Sequence, residues 1–126
     1  MDLIQEYIAV VKEIVSFENY GEGQAVIDIN KKAVRIRKIA ALIENDYPEL
    51  KESFCKLLYD DNSEIRLWVA HHILEVMNCE KVYRKKALKE ISREDSSNKS
   101  VNGLGNRIWL KEWYKTHPKD RWLTWF

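Results

Sequence analysis

Apolar side chains recur along this chain at alternating steps of three and four, the period of a helix face. Between residues 2 and 18, Leu3, Tyr7, Val10, Ile14 and Phe17 form one row and Ile4, Ile8, Val11 and Val15 an adjoining one, so the first helix should be buried over a broad face. Gly21 and Gly23 end it, and a second helix over about 24–45 carries Val26, Ile29, Ala33, Ile36, Ala40 and Ile43, with Asn30 as a candidate break. Asn45-Asp46-Tyr47-Pro48 is a turn whose proline suits the first turn of a third helix reaching about Tyr59. Asp60-Asp61-Asn62-Ser63 offers caps for a fourth over roughly 63–78, and a fifth runs from Glu80 to about Arg93. Glu94 to Val101, rich in Ser, Asn and Asp, is expected to be the longest loop. Gly103 and Gly105 loosen the start of a sixth helix that continues through Trp109 and Trp113 to about Thr116, and Pro118 opens a last short segment with Trp122, Leu123, Trp125 and Phe126. No alternating run long enough for a strand competes.

The pattern repeats. Val34-Arg35-Ile36-Arg37-Lys38-Ile39-Ala40-Ala41-Leu42-Ile43 returns 31 residues later as Ile65-Arg66-Leu67-Trp68-Val69-Ala70-His71-His72-Ile73-Leu74, and fainter, 41 residues further on, in Asn106-Arg107-Ile108-Trp109-Leu110. Such periods belong to helix-pair repeats, each pair burying its apolar face against the next. The expectation is a single all-α domain over 1–126, with helix pairs at about 2–45, 48–78 and 80–116 and a C-terminal tail at 117–126. Shared residues read as structural, which leaves function to positions the copies do not share.

Composition adds little until it is resolved along the chain. The formal net charge is +1, so no global field selects nucleic acid or an anionic membrane. Residues 1–30, however, hold six acids against one base, while residues 63–126 hold thirteen bases against eight acids. An acidic end and a basic end should therefore be separated along a stack. Cys55 and Cys79, the only cysteines, form no CxxC motif and read as reduced, packed thiols. With an acidic N-terminus and apolar residues interrupted by Lys12 and Glu13, neither a signal peptide nor a membrane span is expected, and a whole, cytoplasmic protein is the default.

The segment from Asp60 to Leu74 resembles the HEAT-repeat signature, with a turn Asp at Asp61, a polar stretch and an aliphatic-Arg pair leading small and aliphatic residues. Residues 30–44 are similar with Asn30 in place of the Asp, and residues 102–113 more weakly so. The chain as a whole looks like a small bacterial HEAT-like (armadillo-type) family of unknown function, ending in a Gly-x-Gly-Asn-Arg-x-Trp-Leu-x-x-Trp helix. The resemblance implies a short right-handed α-α superhelix of about three pairs with a Trp-rich cap. It also implies a binding role, since some members are similar to immunity proteins that occlude toxins.

Candidate chemistry is sparse. Arg35, Arg66 and Arg107 recur at one position of each inner helix and, with Asp61, are expected to tie helices to turns. His71 and His72 diverge by about 100° on a helix and suit no shared metal ion; His71 falls on a polar face and His72 on a half-buried one. His117 and the cysteines lie outside any ligand spacing. No phosphate loop, GxSxG or HExxH motif is present, and the chain is short beside the HEAT-like DNA glycosylases. The expectation is a non-enzyme without metal, cofactor or small-molecule substrate. Two basic ridges, Lys81, Lys85, Lys89 and Arg93 on the fifth helix and Arg107, Lys111 and Lys115 on the sixth, are candidate partner contacts, as are Trp109 and Trp113. Glu6, Glu13, Glu18, Glu22 and Asp28 form an acidic face of ordinary density. The leading expectation is a protein-binding module of immunity or antitoxin type. The alternatives are a nucleic-acid-binding module using the ridges, or a small adaptor in an unrelated bacterial complex.

Overall fold

A computed structural model describes residues 2–17, 23–97 and 101–123, with the side chains of residues 17, 23–26, 94–97, 101–104 and 122–123 left aside. Every regular element among the described residues is helical: α1 (Leu3–Phe17), α2 (Gly23–Asn45), α3 (Lys51–Cys55), α4 (Ser63–Glu75), α5 (Lys81–Ser97), α6 (Val101–Thr116) and α7 (Pro118–Leu123). Tight 3-10 turns at Pro48–Leu50 and Lys56–Tyr59 flank α3.

Local chemistry accounts for the start of α1 and both ends of α4. Asp2 caps α1 by accepting a hydrogen bond from the Gln5 amide at 2.8 Å. Asn62 caps α4, its side-chain oxygen taking the amides of Glu64 and Ile65 at 2.9 and 3.2 Å. Asp60 in turn receives the Asn62 amide, and Asp61 contributes its backbone carbonyl to Arg66. At the other end of α4, the amides of Val76 and Met77 both reach back to the His72 carbonyl, which stops the helix at Glu75 rather than near residue 78.

Three further sequence expectations are corrected. The third helix is not continuous from Pro48 to Tyr59 but tightens at both ends, a form that buries Phe54, Cys55 and Leu58 within two short turns. Asn30 breaks nothing, since α2 runs unbroken through it. An interior Asn costs only a fraction of a kcal/mol, on the order of 0.6, and the Ile29 beside it packs onto the core. The expected loop from Glu94 to Val101 is shortened from both sides, because α5 continues to Ser97 and α6 begins at Val101, with Gly103 and Gly105 inside it. Extending an existing helix fixes one residue per hydrogen bond, so polar residues join it cheaply once α5 is nucleated.

The helices pack against one another in chain order, α1 on α2, α4 on α5, α5 on α6 and α6 on α7, while α1 also packs on α4. One core runs through Tyr7, Val11 and Ile14, Ile36, Ile39 and Ile43, Phe54 and Leu58, Ile65, Val69 and Ile73, and Leu88 and Ile91. On α1 the buried residues Ile4, Tyr7, Val11 and Ile14 draw on both rows read from the sequence.

Two ion pairs tie helices at the repeated arginine positions, and they differ in kind. Arg66 grips Glu90 of α5 through Nε while its Nη1 donates to the carbonyls of Asp60 and Asp61 at 2.7 and 3.0 Å. Glu90 is 3% exposed. Arg35 makes a fork onto Glu6 of α1 at 2.5 and 2.9 Å, but both side chains there are open to water. Removing one partner of a buried pair strands a desolvated charge, whereas an exposed pair is screened. Arg66→Met should therefore lower unfolding stability by about 2–3 kcal/mol in a urea titration, with Arg93 still reaching Glu90 at 3.2 Å. Arg35→Met should cost under about 1 kcal/mol. Equal losses in the two variants would refute this distinction.

Candidate functional site: a groove between α2, α4 and α6

The repeated segments place three stretches of chain around one groove of about 630 Å3. From α2 come Ala33, Val34 and Arg37, from α4 Glu64, Leu67, Trp68, His71, His72 and Glu75, and from α6 Gly105 and Asn106. Val34 is 68% exposed although it is apolar. A Cβ built on Gly105 meets nothing within 4 Å, so the missing side chain keeps that wall open. Each of the three repeat copies supplies part of the lining; Arg37 and His71 sit where the copies differ, against Trp68 and Ala40, while Glu75 is matched by Glu44 at the same spacing.

The polar atoms are mutually connected. His71 Nδ1 lies 3.3 Å from Glu75 and its Nε2 lies 3.1 Å from Asn106 Oδ1, while Arg37 donates to Glu75 at 3.4 Å. The hydrogen bond from His71, aided by the charges of His71 and Arg37 and opposed by burial, holds the Glu75 carboxyl below its ordinary range. On its other flank His71 meets the Trp109 ring edge-on, with centroids 4.6 Å apart. Behind it, Tyr7 Oη and His72 Nδ1 form a buried hydrogen bond of 2.6 Å between α1 and α4. His72 is fully buried rather than half-buried. Burial pushes its imidazole down to about 4, with Arg37 and His71 adding to the shift and Glu75 opposing it.

The residues singled out from the sequence are distributed more widely. Trp109 and Trp113 stack at 4.9 Å and 12°, and Trp113 stacks in turn on His117 at 3.8 Å and 8°. Trp113 Nε1 donates to Asp120 at 2.9 Å and Arg84 donates to the same oxygen at 2.6 Å, which fastens α7 to α5 and α6. The Trp122 side chain and residues Trp125 and Phe126 lie outside the described residues, as do Glu18 and Glu22. On the ridges, Lys81, Lys89, Arg107 and Lys111 are exposed and Lys85 is half-buried. Arg93 reaches Glu90, and Lys115 reaches Glu112 at 3.2 Å. On the acidic face Glu6 is taken by Arg35 and Glu13 by Lys32 at 2.7 Å. Among the described residues no three His, Cys, Asp or Glu side chains gather as metal ligands, and no helix is long and apolar enough to cross a membrane.

Sequence reasoning missed Arg37, Glu75, Gly105 and Asn106 as one cluster. The only signal for them was that they fall in or beside the aligned repeat copies. No family model matches the chain, and neither a curated protein nor a solved structure matches it.

Because the folded chain keeps His72 neutral down to about pH 4 while the unfolded chain protonates it near 6.5, protons favour the unfolded state between those values. This contribution is fully present above pH 6.5 and falls by about 3 kcal/mol as the pH drops to about 4. Urea titrations across that window should show the loss. His72→Gln, which keeps a partner for Tyr7, should flatten it; an unchanged slope in that variant would remove His72 as the source.

Proposed function

We propose that this chain is a non-enzymatic protein-binding module that receives an apolar side-chain cluster of a partner protein in the groove between α2, α4 and α6. The groove itself carries the reading. Its volume of about 630 Å3 suits several side chains, and Val34, Leu67 and Trp68 present apolar surface beside the polar atoms of His71 and Asn106. Apolar anchors ringed by a few oriented polar groups are the usual makeup of binding hot spots. The rim charges Arg37, Glu64 and Glu75 are of both signs, which favours a near-neutral partner element over a polyanion.

In the wider reading the helices form a short right-handed HEAT-like stack of about three pairs, closed by a Trp-rich cap at the C-terminal end. The bonds from Arg66 to two turn carbonyls support the first part, and the fastening of α7 through Trp113, Asp120 and Arg84 supports the second. The most specific form of the proposal, resting on the HEAT-like resemblance, is a cytoplasmic immunity or antitoxin-like protein that occludes a toxin. The competing nucleic-acid reading would use the basic ridges, where Arg93 and Lys115 are already engaged by Glu90 and Glu112.

Three variants separate the readings once a partner has been retrieved with the wild-type chain. Val34→Glu and Gly105→Leu should leave the fold intact, the second gaining about 0.5–1 kcal/mol from the loss of a helical glycine. Each should weaken the partner complex about 30-fold or more, the loss expected at a hot spot. Reversing Lys81, Lys85 and Lys89 to Glu should leave affinity within about threefold, as for rim charges. Retained affinity in both groove variants with loss in the ridge variant, together with salt-sensitive binding to mixed DNA and RNA, would transfer the function to the ridges.

A further inference from the structure

A second cavity, of about 350 Å3, lies on a different part of the molecule and is lined by Lys51, Cys55, Cys79 and Tyr83 among others. Cys55 ends α3, and Cys79 stands in the non-helical stretch between α4 and α5. Their sulfurs are 3.6 Å apart, in hydrogen-bond contact and not joined by a disulfide. Lys51 sits one turn before Cys55 on the same helix, where it is 2.8 Å from Glu44 and donates to the Asn78 carbonyl beside Cys79. The Glu44 carboxylate also accepts the Asn78 amide at 3.0 Å, so one ion pair orients the backbone that carries Cys79.

We propose that Cys55 and Cys79 form a redox-active dithiol whose oxidant is a small hydroperoxide admitted by this cavity. The geometry assigns the roles. Cys79, 8% exposed and in the loop, is the attacking thiol, and Cys55, 1% exposed on the helix, is the resolving one. Once Cys79 is a thiolate only Cys55 can donate across the 3.6 Å contact, and this bond, with the charge of Lys51 and against burial, holds the Cys79 thiol below its ordinary range, while the same bond and burial push Cys55 up. In the first step the Cys79 thiolate attacks the peroxide oxygen. The O–O bond breaks, Cys79 becomes a sulfenic acid, and the departing oxygen leaves as water or an alcohol after taking a proton. In the second step the Cys55 sulfur attacks the Cys79 sulfur; the S–S bond forms, the S–O bond breaks, and hydroxide leaves with the Cys55 proton as water. Two thiols are oxidised by two electrons and one hydroperoxide is reduced. A disulfide needs the sulfurs to close to about 2.05 Å, a shift of side-chain size for a pair that already touches.

The test uses the full chain, reduced and then exposed to equimolar hydrogen peroxide. Expected is a monomer whose intact mass falls by two hydrogens, a linked Cys55–Cys79 peptide, and full reversal by a thiol reductant. In Cys55→Ala the reaction should stop at the sulfenic acid, trapped on Cys79 by dimedone. In Cys79→Ala, trapping at Cys55 should be at least about tenfold slower, following thiolate character and exposure. The proposal is overturned if both wild-type thiols remain open to alkylation after peroxide, if oxygen accumulates on one sulfur without a cross-link, or if the only disulfide joins two copies of the chain. Equal trapping rates at the two cysteines would overturn the assignment of the attacking thiol.

Discussion

The hydrogen bond between Tyr7 and His72 is the constraint on which the rest of the molecule turns. Both residues are buried, so neither polar atom has water as an alternative partner, and an unmade bond there would cost about 1–3 kcal/mol. Satisfying it places α1 across α4, although 65 residues separate the two in sequence. Phe54 meets the Tyr7 ring edge-on at 4.9 Å and brings α3 into the same junction. The orientation of α4 that satisfies His72 also turns the next position, His71, toward Asn106 and Trp109. Core and groove are therefore set by one register of one helix.

Charge is arranged with the same economy of partners. The acidic first third is not a bare acidic surface, because Glu6 and Glu13 meet Arg35 and Lys32 of the adjacent helix. The repeated arginine is one residue type in two structural roles. On α2 it reaches backward to α1 in open water, and on α4 it reaches forward to a buried Glu90 and down to the turn that precedes it. A shared sequence position thus carries unequal energetic weight, set by how much solvent the partner has lost.

How far the sequence could be read follows from the range of the forces involved. The order of the helices and the starts at Ser63 and Pro118 were legible, because caps, prolines and apolar periodicity act within one turn. The half-buried face on which the sequence puts His72 pointed to its burial, though not to its depth or to Tyr7. Asn30 and the Glu94–Ser97 stretch misled because local propensity is weak beside helix continuation and packing. The groove was not legible, since Val34, Trp68 and Asn106 meet only after three helices have docked. Neither was the approach of Cys55 to Cys79, whose 24-residue spacing carries no local signal.

The stack of Trp109 on Trp113 has a spectroscopic consequence. Two indoles nearly parallel at 4.9 Å couple electronically, so their transitions split and give α6 a chiral absorption signal distinct from that of the helical backbone. Trp109 also touches His71, and that signal therefore originates beside the groove wall. The chain carries an optical label of its own at this surface, readable without attaching a dye.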